Sequence, residues 1–455
     1  MFDTIILGAK IVLETRCIFG SIGIKDGKIA AIFKDSDGIA AKKTIDATNK
    51  IVFPGAIDTH SHFFDPWNGE KGDDFYTGSC CAAAGGYTTC IEMPQSIPAV
   101  TNSETLKNKI GIGSNKAVVD FALWGGLTPS NMKNMKELHD LGCTSFKAFT
   151  SDAGPDYGML SDLEIYESIK LSKEIGTFIG FHAENDQIIK HLEFRFEKEG
   201  KISSEYHEPS RPYYAELEAI NRLLLFSKEL GARIHICHLS IPEGADIIKQ
   251  YRLKGTKVSI ETCAHYLLLN KSDIEKYGSY AKCNPPLRSK ERVEKHWGHV
   301  LDGTINCIGS DHAAYSELEK EVGKGNIFKA PGGIPGFQVI FCGLFDEAVI
   351  KRSMKIEDFS KLMSTNAAKI FGLYPRKGNI SIGADADLTI LDSNQPWKYS
   401  SKLSFSKATS PKYPYEGKEY SSKIIMTIVR GETVYSNGKI IASAGYGQFI
   451  PKSSS

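Results

Sequence analysis

No run of about eighteen apolar residues occurs anywhere in the chain, which excludes a hydrophobic membrane-spanning helix. Charge of one sign is also lacking. The formal net charge is +1, so no strong field draws the chain to nucleic acid or to an acidic membrane surface, and neither is an expected partner. The N-terminal stretch Met1-Phe2-Asp3-Thr4-Ile5-Ile6-Leu7 has neither the basic nor the long apolar region of a secretory signal. Ten cysteines are present, but no CxxC pair and no disulfide-framework spacing. Cys80-Cys81, Cys237 and Cys307 sit in apolar segments, as reduced thiols in a cytoplasmic protein would. Internal repeats and low-complexity tracts are missing too. What remains is a chain of 455 residues, long enough for one large domain and a smaller one.

Residues 1 to about 50 hold short strand candidates, Thr4–Leu7, Ser21–Ile24 and Lys28–Phe33, with a hairpin signal at Lys25-Asp26-Gly27-Lys28. From Lys50 the texture changes. Apolar or β-branched runs at Lys50–Asp58, Tyr87–Met93, Ala117–Trp124, Cys143–Phe149, Thr177–His182, Arg233–Leu239, Lys257–Thr262 and Ile305–Ser310 alternate with helical-period segments. These include Ser161–Ile175, Arg211–Leu230 and Glu243–Leu253. About eight strand–helix units point to an α/β fold with a closed (β/α)8 TIM barrel, ahead of a doubly wound open sheet. Helical segments follow at Phe337–Ile350 and Ile356–Phe371, and strands return at Gly383–Leu391 and Lys423–Arg430. Each terminal β segment alone would leave an apolar face open, so the two are expected to pair. The expected organisation is a small β-sandwich from residues 1–52 and 375–455, and a barrel over 53–374.

Chemistry in such barrels gathers where strands end. The first run ends Gly55-Ala56-Ile57-Asp58-Thr59-His60-Ser61-His62, and alternation turns both imidazoles to one face. Two neutral imidazoles there suit a borderline-soft divalent ion such as zinc. The fourth carries Lys147, the fifth ends at His182, the sixth offers His235 or His238, and the eighth ends Asp311-His312. Each residue alone has a structural explanation, as a hydrogen-bonded strand end, a helix cap or an ion-pair partner. His238 is preferred over His235 because the loop begins there, and either Asp311 or His312 can face a metal. An ammonium at Lys147 beside two cations would lose its proton. The neutral amine could then add carbon dioxide and bridge both ions as a carbamate. Asp311 is the candidate proton carrier.

These residues resemble the cyclic amidohydrolases: hydantoinases, dihydropyrimidinases, allantoinases and dihydroorotases. The landmarks are Gly55–His62, Ser145–Phe149, Phe181–Asn185, Ile236–Ser240, Lys282–Arg288, Gly309–His312 and Gly383–Leu388. The resemblance implies a metal-dependent hydrolase of small cyclic amides or ureides, with two divalent ions of the zinc class (manganese or cobalt being alternatives), and commonly a homotetramer. One ion would take His60, His62 and Asp311, the other His182 and His238, and carboxylated Lys147 would bridge them.

Departures narrow the substrate. Phe64 stands where dihydroorotases place an arginine, and Asp152 where dihydropyrimidinases carry a tyrosine. Ser210-Arg211-Pro212, Glu216–Ala219, Gly325–Ile327 and Gly332–Gly336 are similar to allantoinases, while the loop Phe63–Asn68 lacks their usual Glu-Pro-Gly-Arg. Val119–Gly126 is closer to L-selective hydantoinases. Allantoin is therefore the leading substrate, with 5-substituted hydantoins second. A non-catalytic oligomeric scaffold is the alternative of another class, disfavoured because the ligand set is complete. Backbone groups near Asn284 and Gly332 are expected to read the imide edge. Phe64 and Phe149 are expected to line the substrate pocket, with core packing as the competing role. His265 is expected behind the ligands.

Overall fold

The computed structural model describes residues 1–34, 39–67, 72–154 and 157–452. Asn68, the last residue of the loop noted above, lies outside them. Eight strands form the barrel in chain order: Ala56–His62, Tyr87–Glu92, Asp120–Leu123, Phe146–Phe149, Ile179–His182, Ile234–Ile236, Val258–Cys263 and Cys307–Gly309. Neighbours pair in parallel from the first strand to the third and from the fourth to the eighth. Short Gly125–Gly126 carries the third strand onto the fourth. Parallel strands covered on both faces require near-continuous burial, and every residue of these eight strands is buried.

Side chains close the seam between the eighth and first strands. The Ser310 N–H donates to Asp58 Oδ1 at 2.6 Å, and Ser310 Oγ lies 2.9 Å from the His60 carbonyl. The end of the barrel opposite the strand C-termini is filled by Trp124, Phe178 and Phe371, with Trp124 and Phe371 ring centroids 5.1 Å apart. Only the C-terminal mouth is left for chemistry.

The two chain ends do pair. Leu388–Asp392 runs antiparallel to Ile51–Pro54, which lies parallel to Phe2–Val12, joining both ends into one nine-stranded sheet among the described residues. Isoleucines such as Ile6, Ile11, Ile22, Ile24 and Ile390 give this sheet its own core. The single run read from Lys50 to Asp58 therefore divides: Ile51–Pro54 belongs to the terminal sheet and Ala56–His62 to the barrel. Gly55 is the joint, where any Cβ would meet the Thr88 side chain at 2.1 Å. The C-terminal tail then returns to the barrel, where the Phe121 N–H donates to the Gln448 carbonyl and the Ile450 N–H to the Phe121 carbonyl.

A buried ion cluster bolts the sheet to the barrel. Lys377 Nζ lies 2.5 Å from Asp120 on the third barrel strand, 2.6 Å from Asp387 and 3.1 Å from Asp385, and Arg430 also bonds Asp120. Although the three carboxylates lie close enough to hold a metal, the ammonium already occupies their centre. Removing one member of such a cluster leaves uncompensated buried charge. Lys377→Met is expected to destabilise the chain by about 3–5 kcal/mol. Chemical denaturation reads this out, and an unchanged unfolding midpoint would contradict it.

Candidate metal centre

Residues from five barrel strands converge at the open mouth. His60 Nε2 lies 3.6 Å and His62 Nε2 3.2 Å from Asp311 Oδ1. Lys147 Nζ lies 3.5 Å from His60 Nε2 and 3.3 Å from His238 Nε2, and His238 Nε2 is 3.1 Å from His182 Nδ1. All six side chains are buried. Above them opens a cleft of about 240 Å³, whose walls also include Phe64, Phe149, Arg211, Asn284, Tyr315 and Gly332.

Backbone geometry aims two of these groups. His238 has φ of 37° and Asp311 of 43°, left-handed values uncommon for residues with a side chain. Both stand just past a strand end, where the turn swings the side chain into the mouth. Phe64, also left-handed at 50°, stacks on His62, and Phe149 stacks on His182 with ring centroids 5.4 Å apart. The two phenylalanines therefore wall the cleft and brace imidazoles at once.

Two carboxylates that sequence reasoning left aside set the imidazole tautomers. Glu261, on the seventh strand, accepts from His60 Nδ1 and from Thr59 Oγ1. An ionised carboxylate only accepts, so the His60 proton sits on Nδ1 and the Nε2 lone pair faces the mouth. Glu184 accepts from His182 Nε2 at 2.7 Å, so here Nδ1 faces the mouth. Burial works to raise the Glu184 carboxyl, but the Arg211 charge and the His182 bond outweigh it and hold it at about 2. Signals for both existed. Glu184 lies two residues beyond His182, where continued alternation would turn it to the same side, and Glu261 is an acid inside an apolar strand.

The remaining histidines divide cleanly. His235 turns to the opposite end, bonded to Ser259 Oγ at 2.8 Å and packed near Trp124 and Phe178. His312 points away from the mouth, its Nε2 2.9 Å from Asp73. His265 is buried close to Asp311 and Cys263, outside the cleft wall. Asp152 reaches the rim, where Lys190 pairs with it at 3.2 Å.

The protonation states suit a divalent metal. Burial first, then the Lys147 charge, pushes His60 down to about 4 and His238 well below its usual value. His62 and His182 are lowered chiefly by burial. Burial opposes ionisation of Asp311, yet its bond to His62 and the nearby imidazoles hold it at about 2. Neutral imidazoles beside an ionised carboxylate are the form that coordinates metal. With Nε2 of His182 committed to Glu184, its Nδ1 lone pair faces His238 Nε2 across 3.1 Å, so two ring nitrogens point at one place where a cation could be held. His60, His62 and Asp311 present ligand atoms within 4.8 Å of one another.

Comparison with known proteins follows the same lines. The model of the amidohydrolase family matches residues 51–434. The chain belongs to the amidohydrolase family. It is 37% identical to the allantoinase of Bacillus licheniformis, over 99% of this chain and 100% of that protein. An allantoinase of Escherichia coli is 37% identical over 99% of both chains. Among solved structures, an L-hydantoinase (dihydropyrimidinase) from Arthrobacter aurescens superposes with a TM-score of 0.95 at 34% identity, covering 99% of this chain and 100% of that one. A D-hydantoinase (dihydropyrimidinase) from Thermus sp. gives 0.92 at 28%, over 99% of each chain.

Two outcomes follow for this family member. Glu261→Gln removes the charge that orients His60 and is expected to weaken metal binding by about 10–100-fold, measured by chelator competition. Unaltered affinity would show that Glu261 only packs. In the metal-stripped chain, histidines whose folded values lie below 6.5 add stability above that pH and lose it as pH falls towards about 4. Melting temperature should therefore drop across that window, and a flat profile would contradict the buried neutral imidazoles.

Proposed function

We propose that the chain is a binuclear-metal hydrolase that opens a cyclic ureide ring, with allantoin as substrate and allantoate as product. The observation that carries this reading is the convergence of four imidazoles, one carboxylate and one amine at a single buried mouth. Full-length identity of 37% to allantoinases supports the choice of ring. Polar groups of the cleft wall, notably Arg211 and Asn284, offer partners to a ureido substituent.

In this reading His60, His62 and Asp311 hold one divalent ion and His182 and His238 the other, with zinc, manganese or cobalt each compatible with nitrogen and oxygen donors. Lys147 is buried with no carboxylate partner among the described residues, as an amine that forms a carbamate requires. Its nitrogen would bond the carbon of carbon dioxide with loss of a proton, and the resulting anionic carbamate would supply oxygen ligands to the ions. A bound metal pair supplies carbonyl polarisation and an acidified water at neutral pH. Asp311, held ionised, accepts the proton released as the new C–O bond forms and delivers it to the ring nitrogen as the C–N bond breaks. The imide edge meets backbone groups at Asn284 and Gly332, and Phe64 and Phe149 exclude water beside the ring. Ten unpaired cysteines, nine of them buried, fit a reducing cytoplasm, and a homotetramer fits the family resemblance.

A second reading, hydrolysis of 5-substituted hydantoins, is favoured by the TM-score of 0.95 to an L-hydantoinase and by the aromatic walls. A panel of allantoin, hydantoin and 5-substituted hydantoins, assayed with zinc-, manganese- and cobalt-loaded protein, separates the two by kcat/KM. Allantoin is expected to be preferred by at least about ten-fold. Failure to open any ring in all three forms would end the proposal. Lys147→Ala should lose bound metal and activity together while the fold persists, whereas retained metal would remove the bridge from the account.

A further inference from the structure

One wall of the cleft is held by two buried lysines that the reaction itself does not use. Lys282 Nζ donates to the carbonyls of Ile327 at 2.9 Å, Phe328 at 3.2 Å and Ala330 at 2.7 Å. Lys320 Nζ donates to the carbonyls of Pro331 at 2.9 Å and Gly333 at 2.6 Å. Lys320 is fully buried and Lys282 is 5% exposed. Among the described residues neither ammonium has a carboxylate within ion-pair distance. Buried cations are ordinarily paired with anions. Here the compensation comes from five carbonyl dipoles of one seven-residue segment.

The segment they capture matters because of the residue they leave out. Carbonyls 330, 331 and 333 are all engaged, while no protein group among the described residues bonds the N–H or the C=O of Gly332. Gly332 faces the cleft, and a Cβ there would meet Asn284 Nδ2 at 3.1 Å. The same clamp reaches Asn284, since the Gly333 N–H donates to the Lys282 carbonyl at 2.8 Å, two residues before it. Asn284 Oδ1 is itself buried without a partner. The free donor and acceptors of this wall thus sit on a backbone pinned on both sides.

We propose that Lys282 and Lys320 are positioning residues for substrate: they fix residues 327–333 so that the unbonded amide of Gly332 and the Asn284 side chain are set, before binding, to receive the N–H and C=O groups of the ring. This rests on the cyclic-ureide reading above. Preorganising a wall reduces the ordering cost of binding, so its loss is expressed in KM and leaves the metal-centred step alone.

The test compares Lys282→Met and Lys320→Met with the wild-type holoenzyme. Each variant is expected to raise KM at least about ten-fold, with kcat within about three-fold and with unchanged metal per chain. Equal KM in both folded variants, or a fall in kcat that tracks lost metal, would overturn the proposal. Should either variant fail to fold, hydrogen–deuterium exchange on the wild-type holoenzyme still decides. The hydrogen-bonded amides of Ile327, Lys329, Ala330 and Gly333 should be protected before substrate is added, and full-rate exchange of these that slows only on binding would refute a preset wall. A wild-type enzyme that opens no cyclic ureide defeats the functional reading instead, while active wild type with indifferent variants defeats the lysines alone.

Discussion

Imidazole nitrogens aimed at one another inside a closed barrel form the constraint on which the rest depends. Glu184 accepts the Nε2–H hydrogen bond of His182, so the Nδ1 lone pair faces His238 Nε2 at 3.1 Å. Glu261 imposes the reverse tautomer on His60. Burial keeps the imidazoles neutral, and Lys147 stands between them without an anion. Neutral imidazoles converging beside an ionised carboxylate are suited to divalent cations.

Most of the charge around the mouth is matched at close range. Arg211 holds Glu184, which holds His182. Arg288 bonds Glu216, whose carboxylate also receives the N–H of Ser240, two residues past His238. Further out, Lys377 fastens the third barrel strand to the terminal sheet. Lys147, Lys282 and Lys320 depart from this matching: the first lies against imidazoles, and the other two are solvated by backbone carbonyls beside the cleft.

Much of the barrel was legible because parallel strands buried on both faces leave long apolar runs, and all eight runs correspond to strands. The ligand positions were legible because function in this architecture sits at strand ends, and the period of two assigns faces. Where the pattern misled, the reason was local. Lys50–Asp58 is apolar throughout, so hydropathy alone could not see that Gly55 splits it between two sheets. Glu184 and Glu261 were visible as letters, but their partners lie on other strands, and an acid in a strand has no meaning until its neighbour is known.

By itself the sequence determined the eightfold alternation, the pairing of the two chain ends and the inward face of His60 and His62, since all three follow from hydropathy and side-chain period along one segment. Only the tertiary structure decided which nitrogen of each imidazole faces the mouth, that His312 turns to Asp73 while Asp311 turns inward, and that two lysines solvate one loop. Those outcomes depend on distances between atoms far apart in the chain, and a hydrogen bond of about 3 Å is a property of the closed fold alone.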